Sequence, residues 1–309
     1  MRVLVTGGAG FIGSHCADAF LKQGHEVVIV DNLSSGRREN IPKGTKFYCL
    51  DILDKRLTEV IDNERPDVIC HHAAQVSVRL SVDDPVRDAE INIIGGIKMA
   101  NLATAFGVKK FIFSSTGGAI YGEQEEFPAP ESHPLRPLCP YGVSKLSFEK
   151  YLDYYRQEFG LQYCILRYSN VYGPRQDPFG EAGVIAIFSE RFLEGKQPVI
   201  NGDGEQTRDF LYVGDVAGAN VMALGLSGSH CFNISTGQET SINDIFKLLK
   251  DLTGSDLKEV HGPEKQGEQR RSVISPKLAK NSIGWKPEVS LKEGLAYTME
   301  YFRNQIKTQ

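Results

Sequence analysis

Short apolar runs alternate along the first half of the chain with longer stretches in which apolar residues recur every three to four positions. Runs such as Val3-Leu4-Val5 and Val27-Val28-Ile29-Val30 read as strands buried on both faces, and the longer recurrence reads as helices that cover them. The pattern predicts strands near residues 2–6, 26–30, 46–49, 67–71, 110–114 and 162–166, with helices near 11–23, 54–63, 85–106 and 142–159. Such alternation builds a doubly wound α/β fold of the Rossmann type, a parallel sheet with helices on both faces and ligands at the carboxyl ends of its strands. The residues just after those ends, Gly7, Asp31, Asp51, His72-Ala73-Ala74, Ser114-Ser115-Thr116 and Tyr168-Ser169-Asn170, are the candidate ligand contacts.

Residues 121–140, rich in Pro, Glu and Ser, read as a loop crossing the active face, and beyond Gly173-Pro174 the alternation lapses. A helix near 183–195, a short strand near 198–200, the turn Asn201-Gly202-Asp203-Gly204 and a helix from Gly214 to about Leu224 follow. Ser241 to Asp244 and Ser290 to Glu293 have the form of capping boxes that start helices. The expected division is a Rossmann domain over 1–167 plus about 208–235, and a smaller α/β lobe for the substrate over 168–207 and 236–309.

The first strand runs into Gly7, Gly10 and Gly13 before a helical pattern opens. Gly7 permits a tight turn, Gly10 lets the backbone approach a pyrophosphate, and Gly13 lets the helix pack on the strand, whose free N–H groups then face the anion. Asp31 ends the second strand eighteen positions after Gly13, where a carboxylate meets the adenosine ribose hydroxyls. That charge repels a 2′-phosphate, so NAD is expected over NADP, although Arg37 and Arg38 pull the other way.

Composition narrows the class. With 309 residues, 41% hydrophobic and 24% charged, the chain is long enough for a sizeable core, and a net charge of −4 gives no bulk attraction to nucleic acid or to an anionic membrane. No secretory signal and no membrane-spanning run is read in it. Six cysteines without a C-x-x-C pair read as buried thiols in a reducing cytoplasm. No metal site is expected at His71-His72, since strand neighbours point to opposite faces.

Tyr141 and Lys145 stand four residues apart, one above the other on a helix. An adjacent ammonium favours the phenolate and turns an inert phenol into a general base. The spacing also occurs by chance on surface helices; its place after the strand end Phe113-Ser114-Ser115-Thr116 is what points to chemistry. Hydroxyls there can hydrogen-bond a substrate alcohol and share its proton with Tyr141.

GGAGFIG, the Asp31 strand end, HHAAQ, FIFSSTGGAIYG, YGVSK, RYSNVYGP and RDFLYV, in this order, resemble the extended short-chain dehydrogenase/reductase family over essentially the whole chain. Within it the likeness is to the branch that epimerises UDP-glucose and UDP-galactose at C4 through a transient 4-keto sugar. The resemblance implies NAD, with Gly7, Gly10, Phe11, Ile12 and Gly13 under the pyrophosphate and Asp31, Asn32, Ser35 and Gly36 around the ribose. It places Asp51 and Ile52 beside the adenine and Ala73, Ala74, Gln75, Ser114 and Tyr168 along the cofactor. Tyr141, Lys145 and a hydroxyl from Ser115 or Thr116 are the implied catalytic set, and Thr116, Tyr141, Asn170, Val184, Val199, Asn201, Arg208 and Arg271 the implied contacts to a UDP-sugar. Family members pair through the helices near 85–106 and 142–159, so a homodimer is expected.

Thr116 is followed by Gly117, Gly118 and Ala119, and no carboxylate is at hand for elimination at C5 or C6, which favours plain epimerisation over dehydration. Three departures bear on the substrate. Asn201 stands where many relatives stack an aromatic on uracil, and Lys265 and Glu268 stand where they grip phosphate and ribose with Arg and Asp, a task open to Arg270 or Arg271. Ser272 is small where bulk excludes N-acetylated sugars. UDP-N-acetylglucosamine or UDP-glucuronate 4-epimerisation, a dehydratase, and a non-catalytic NAD-sensing protein are the alternative readings.

Overall fold

In the computed structural model, which describes residues 1–179, 183–264 and 269–308 and side chains to residue 306, the chain divides into two units. The first comprises Met1–Gly122, Pro134–Tyr168 and Val216–Phe232; the second comprises Glu123–His133, Ser169–Asp215 and Asn233–Gln309.

The first unit is built on β1 (Arg2–Thr6), β2 (Glu26–Asp31), β3 (Lys46–Cys49), β4 (Val68–His71), β5 (Lys110–Thr116) and β6 (Gln162–Tyr168), all paired in parallel. A seventh strand, β7 (His230–Ile234), joins the sheet beside β6, giving the order β7-β6-β5-β4-β1-β2-β3. The chain order reverses between β1 and β4, the topological switch at which such sheets bind ligands. Sequence pattern missed β7: His230-Cys231-Phe232-Asn233-Ile234 lacks the continuous apolar run of the other strands.

The main helices of this unit are α1 (Phe11–Lys22), α2 (Leu57–Glu64), α3 (Gly95–Ala105), α4 (Pro140–Phe159) and α5 (Val213–Gly225), the last beginning in the second unit. On one face Leu4, Val28, Val30, Ile69, Phe111 and Phe113 pack with Met99 of α3 and Phe148 and Leu152 of α4. Burial of each such side chain stabilises by roughly 1.5–3 kcal/mol. The expected single helix over 85–106 is interrupted: Pro85–Ala89 passes through a π turn, Glu90–Ile94, before α3, and Val78–Asp83 forms a separate turn of helix ahead of Pro85. On the other face Lys110 reaches the C-terminal end of α5, where its Nζ donates to the carbonyls of Ala223 (2.9 Å), Leu224 (3.2 Å) and Leu226. A cation there satisfies carbonyls that have no partner in the helix and complements its negative end.

The second unit has its own core, in which Tyr172, Phe188, Phe192, Phe210, Phe246 and Leu295 meet. Short strands organise it: Asn170–Tyr172 pairs with Phe210–Tyr212, Thr207–Arg208 lies between Thr240–Ser241 and Arg271–Ser272, and Ile200–Asn201 pairs with His261–Gly262. Both expected caps are present, Ser241 Oγ accepting from Asp244 N and Ser290 Oγ from Glu293 N.

The unit boundaries differ from the expected ones. Residues 123–133, 208–215 and 233–235 fall in the second unit, and Tyr168 in the first. The cause is tertiary: Ala129 N donates to Val273 O and Ala129 O accepts from Asn233 Nδ2, while buried Asp209 accepts from Ser169 Oγ, from Thr236 N and Oγ1, and from Gly237 N.

No disulfide joins the cysteines; Cys16, Cys70 and Cys164 are buried as expected, but Cys49 is exposed because β3 is the edge strand. No helix among the described residues is long and apolar enough to cross a membrane.

Candidate active site

At the end of β1 the chain turns through Gly7 at φ +68°, with Gly7 N bonded to Val30 O at 2.8 Å. A Cβ on Gly7 would lie 2.6 Å from Ala73 N, because the segment after β4 crosses directly over the turn; one on Gly13 would lie 2.2 Å from Gly7 O. The turn and the first turn of α1 are thus in backbone contact, which only glycine allows. Gly10 caps α1 with no side-chain hydrogen bond and no acid stands in the first turn. The N–H groups of Phe11, Ile12 and Gly13 have no acceptor four residues back and present a positive end suited to a pyrophosphate.

Asp31 closes β2, buried, its oxygens accepting from Ala9 N (3.0 Å) and Leu33 N (2.8 Å). Around it Gly36 approaches so closely that a Cβ would touch Asp31 Oδ1 at 2.9 Å, Ser35 is exposed, and Asn32 Nδ2 donates to Asp51 Oδ2 at 2.7 Å. Arg38 lies over the ring of Phe47. The Ile52 side chain belongs to the apolar core and abuts Gly95.

Past β4 the two histidines take opposite faces. His71 Nδ1 meets Thr6 Oγ1 at 2.7 Å and its ring packs on Phe111, Phe113 and Phe148, whereas His72 stacks on Tyr168 with its Nε2 at 3.2 Å from Cys70 Sγ. Burial, reinforced by the Lys145 charge, lowers both to about 3, so they are neutral imidazoles. Tyr168 is buried and its hydroxyl accepts from Asn220 Nδ2 at 2.8 Å. Ala73, over the Gly7 turn, and Ala74 are half-buried, and the Gln75 side chain points inward, Nε2 donating to Ser77 O and Asp88 Oδ1.

The chemistry-bearing helix is α4, with Pro140 in its first turn. Tyr141 is half-buried, and Lys145 Nζ lies 5.8 Å from its ring centroid and 4.9 Å from that of Phe113. Lys145 is buried and donates to Ser114 O at 3.0 Å, which ties the helix to the end of β5. Burial brings its ammonium down to about 8, against the opposing pull of Asp88 and Glu149. A lysine so placed is still mostly an ammonium at neutral pH and favours the phenolate of any tyrosine beside it.

Ser115 and Thr116 part company. Ser115 Oγ donates to Glu149 Oε1 at 2.6 Å inside a buried group in which Arg167 clamps Glu149 through Nε (3.1 Å) and Nη2 (2.6 Å) and donates to the Tyr121 hydroxyl at 3.0 Å. Thr116 is half-buried at the strand end, opening the short helix Gly117–Ile120 without a side-chain cap bond. Sequence reading overlooked Glu149 and Arg167. The available signal was spacing, since Glu149 continues the Tyr141, Lys145 stripe by one more turn of α4.

Within the second unit Asn170, Val184 and Arg208 share a recess with Tyr172, Gln176 and Phe210. Arg208 is braced by Nη1 donating to Thr207 O (2.8 Å) and Gln269 O (2.9 Å), and Gln176 Oε1 is buried there with no hydrogen-bond partner. Val199, Asn201 and Arg271 do not line this recess. Val199 and Asn201 sit at the edge that pairs with His261–Gly262, and Arg271 bonds Glu239 (2.6 and 2.9 Å) with its guanidinium 3.7 Å from the Phe127 centroid. Arg270 is taken up by Asp203, and Ser272 is buried beside Arg208. Lys265 and Glu268 lie outside the described residues.

A doubly wound sheet with a glycine turn at its switch point, a strand-end carboxylate and a Tyr–Lys helix defines a nicotinamide-dinucleotide enzyme of the extended short-chain dehydrogenase/reductase class. The model of the NAD dependent epimerase/dehydratase family matches residues 3–235, and the chain belongs to that family. It is 46% identical over 306 residues, 99% of this chain and all of the relative, to a putative UDP-glucose 4-epimerase of Methanocaldococcus jannaschii. Among solved structures it is similar to a UDP-glucose 4-epimerase of Thermotoga maritima with UDP-glucose, at 50% identity and TM-score 0.97 over 99% of this chain and 100% of that one. It is also similar to a Thermus thermophilus UDP-glucose 4-epimerase in complex with NAD, at 45% identity and TM-score 0.93 over 98% and 99%. NAD is the cofactor of this family, and the cradle of the glycine turn, the uncapped α1 and Asp31 fits it.

Proposed function

We propose that this enzyme interconverts the C4 epimers of a UDP-hexose, UDP-glucose and UDP-galactose, by reversible oxidation at C4. The observation that carries the reading is Lys145, buried, bonded to Ser114 O and set beside the Tyr141 ring. Bound NAD supplies an acceptor and then a donor of hydride. Tyr141, ionised under the Lys145 charge, takes the proton of the 4-hydroxyl as the C4–H bond breaks, and returns it when hydride is delivered to the other face of the 4-keto sugar. Thr116 rather than Ser115 offers the second hydroxyl, because Ser115 Oγ is committed to Glu149. The recess of Asn170, Gln176 and Arg208 suits the diphosphate and sugar hydroxyls, Arg through its forked donors.

Proton NMR of the purified enzyme with UDP-galactose is expected to show the UDP-glucose anomeric signal growing to equilibrium without added cofactor. No change with UDP-galactose, UDP-glucuronate or UDP-N-acetylgalactosamine would sink the reading. Turnover of the last is the second reading, favoured by the small, buried Ser272 next to Arg208.

The enzyme is further proposed to be a homodimer. Leu80, Val82 and Val86, with Tyr151, Tyr154 and Phe159 of α4, are exposed on the helices of the first unit and would be covered if those helices paired between copies. Light scattering at micromolar concentration is expected to return twice the 34.2 kDa chain mass; a monomeric mass refutes the pairing.

A further inference from the structure

Among the buried charges around α4, Glu149 is matched by the forked contact of Arg167. Lys145 and Asp88 are each without an ion-pair partner within 4.0 Å among the described residues. Lys145 bonds only a carbonyl, and Asp88, fully buried, is held by neutral donors alone: Gln75 Nε2 and Asn92 Nδ2 on Oδ1, each at 2.9 Å, and Ser144 Oγ on Oδ2 at 2.5 Å. These donors come from the segment after β4, from the π turn and from α4, where Ser144 immediately precedes Lys145. A fully buried carboxylate keeps its charge only if hydrogen-bonded and balanced nearby, and among the described residues the unmatched cation in this group is Lys145.

We propose that Asp88 is a positioning residue of the active site: a buried carboxylate, fixed by Gln75, Asn92 and Ser144, that supplies the countercharge keeping Lys145 an ammonium beside Tyr141. It rests on the reading of Tyr141 as the base and Lys145 as its cation. Burial alone depresses Lys145, and of the two carboxylates that oppose it Asp88 acts more strongly than Glu149. The other titratable groups facing the pair do not replace it. His71 and His72 are neutral, Glu149 is shared with Arg167, and the Cys139 thiol is pushed up by burial and by Asp88 itself.

The test is Asp88→Asn. The amide keeps an acceptor for Gln75 and Asn92, and its N–H₂ can donate to Ser144 Oγ, which reverses its role, so charge is removed with shape and hydrogen bonds conserved. Losing a nearby negative charge lowers the Lys145 pKa, so the ammonium is lost at lower pH and the alkaline limb of kcat moves down by about one pH unit. The ratio of activity at pH 9 to that at pH 7 is expected to fall several-fold. Independently of turnover, the Lys145 signal in ε-13C-lysine NMR, assigned with Lys145→Met, is expected to titrate at lower pH in Asp88→Asn. Should the amide be poorly accommodated, Asp88→Ser, which leaves room for a water, gives the same readout. A limb and a Lys145 midpoint that stay where they are, or an equal loss of activity at every pH with the midpoint unmoved, overturn the inference. A parent enzyme inert toward all nucleotide sugars instead overturns the assignment of Tyr141 and Lys145, while the NMR midpoint still decides the role of Asp88.

Discussion

Tyr141→Phe is expected to lower the epimerisation rate by about 10²- to 10⁴-fold, the usual contribution of a positioned general base, while bound NAD stays at the parent level. The ring remains, so the Lys145 contact at 5.8 Å and the packing of α4 are kept; only the oxygen that carries the proton is removed. Lys145 cannot take over, because its Nζ is buried, already donates to Ser114 O and, as an ammonium, has no lone pair with which to accept a proton. The measurements are the NMR time course with UDP-galactose and the NAD released on denaturation. Parent-level turnover would remove the phenol from the mechanism; loss of NAD together with activity would show Tyr141 to be chiefly a cofactor contact.

The second large effect is expected at Gly13→Ala. The new methyl would lie 2.2 Å from Gly7 O, 2.9 Å from Gly7 C and 3.1 Å from Gly8 Cα, all backbone atoms. No rotamer relieves such a contact, so the turn must open or α1 must shift. Either movement displaces the N–H groups of Phe11 and Ile12 from a pyrophosphate, and overpacking of this kind costs about 1–3 kcal/mol or more. The purified variant is expected to carry little NAD and to melt several degrees below the parent, and a normal NAD content at an unchanged Tm would show that the turn does not cradle the cofactor. Gly10→Ala is the useful contrast, since its Cβ meets only Gly7 O at 3.2 Å.

The glycine turn and the carboxylate that closes β2 were legible because they are local. Gly7, Gly13 and Asp31 are placed by one strand–turn–helix–strand, so spacing along the chain translates directly into position, and Tyr141 and Lys145 share a helix face whatever that helix packs on. Sequence spacing could not show that Glu149 arrives from α4 to take the Ser115 hydroxyl while Thr116 stays at the strand end. Nor could it show that the Ile52 side chain packs into the core against Gly95, or that the Gln75 amide bonds Asp88. In the second unit, Arg271 carries the charge expected of a phosphate ligand, yet its geometry here is set by Glu239 and Phe127, residues 32 and 144 positions away.

By itself, then, the sequence determined the parallel sheet, the glycine turn, the strand-end carboxylate and the Tyr–Lys pair, since hydrophobic periodicity and backbone sterics act over a few residues. Tertiary structure alone decided where β7 joins the sheet, how 123–133 and 208–215 are apportioned between the units, and which buried charges face one another. The reason is physical: the charge state of a buried group such as Lys145 depends on desolvation and on a carboxylate, Asp88, brought from another helix, and these long-range terms have no period along the chain.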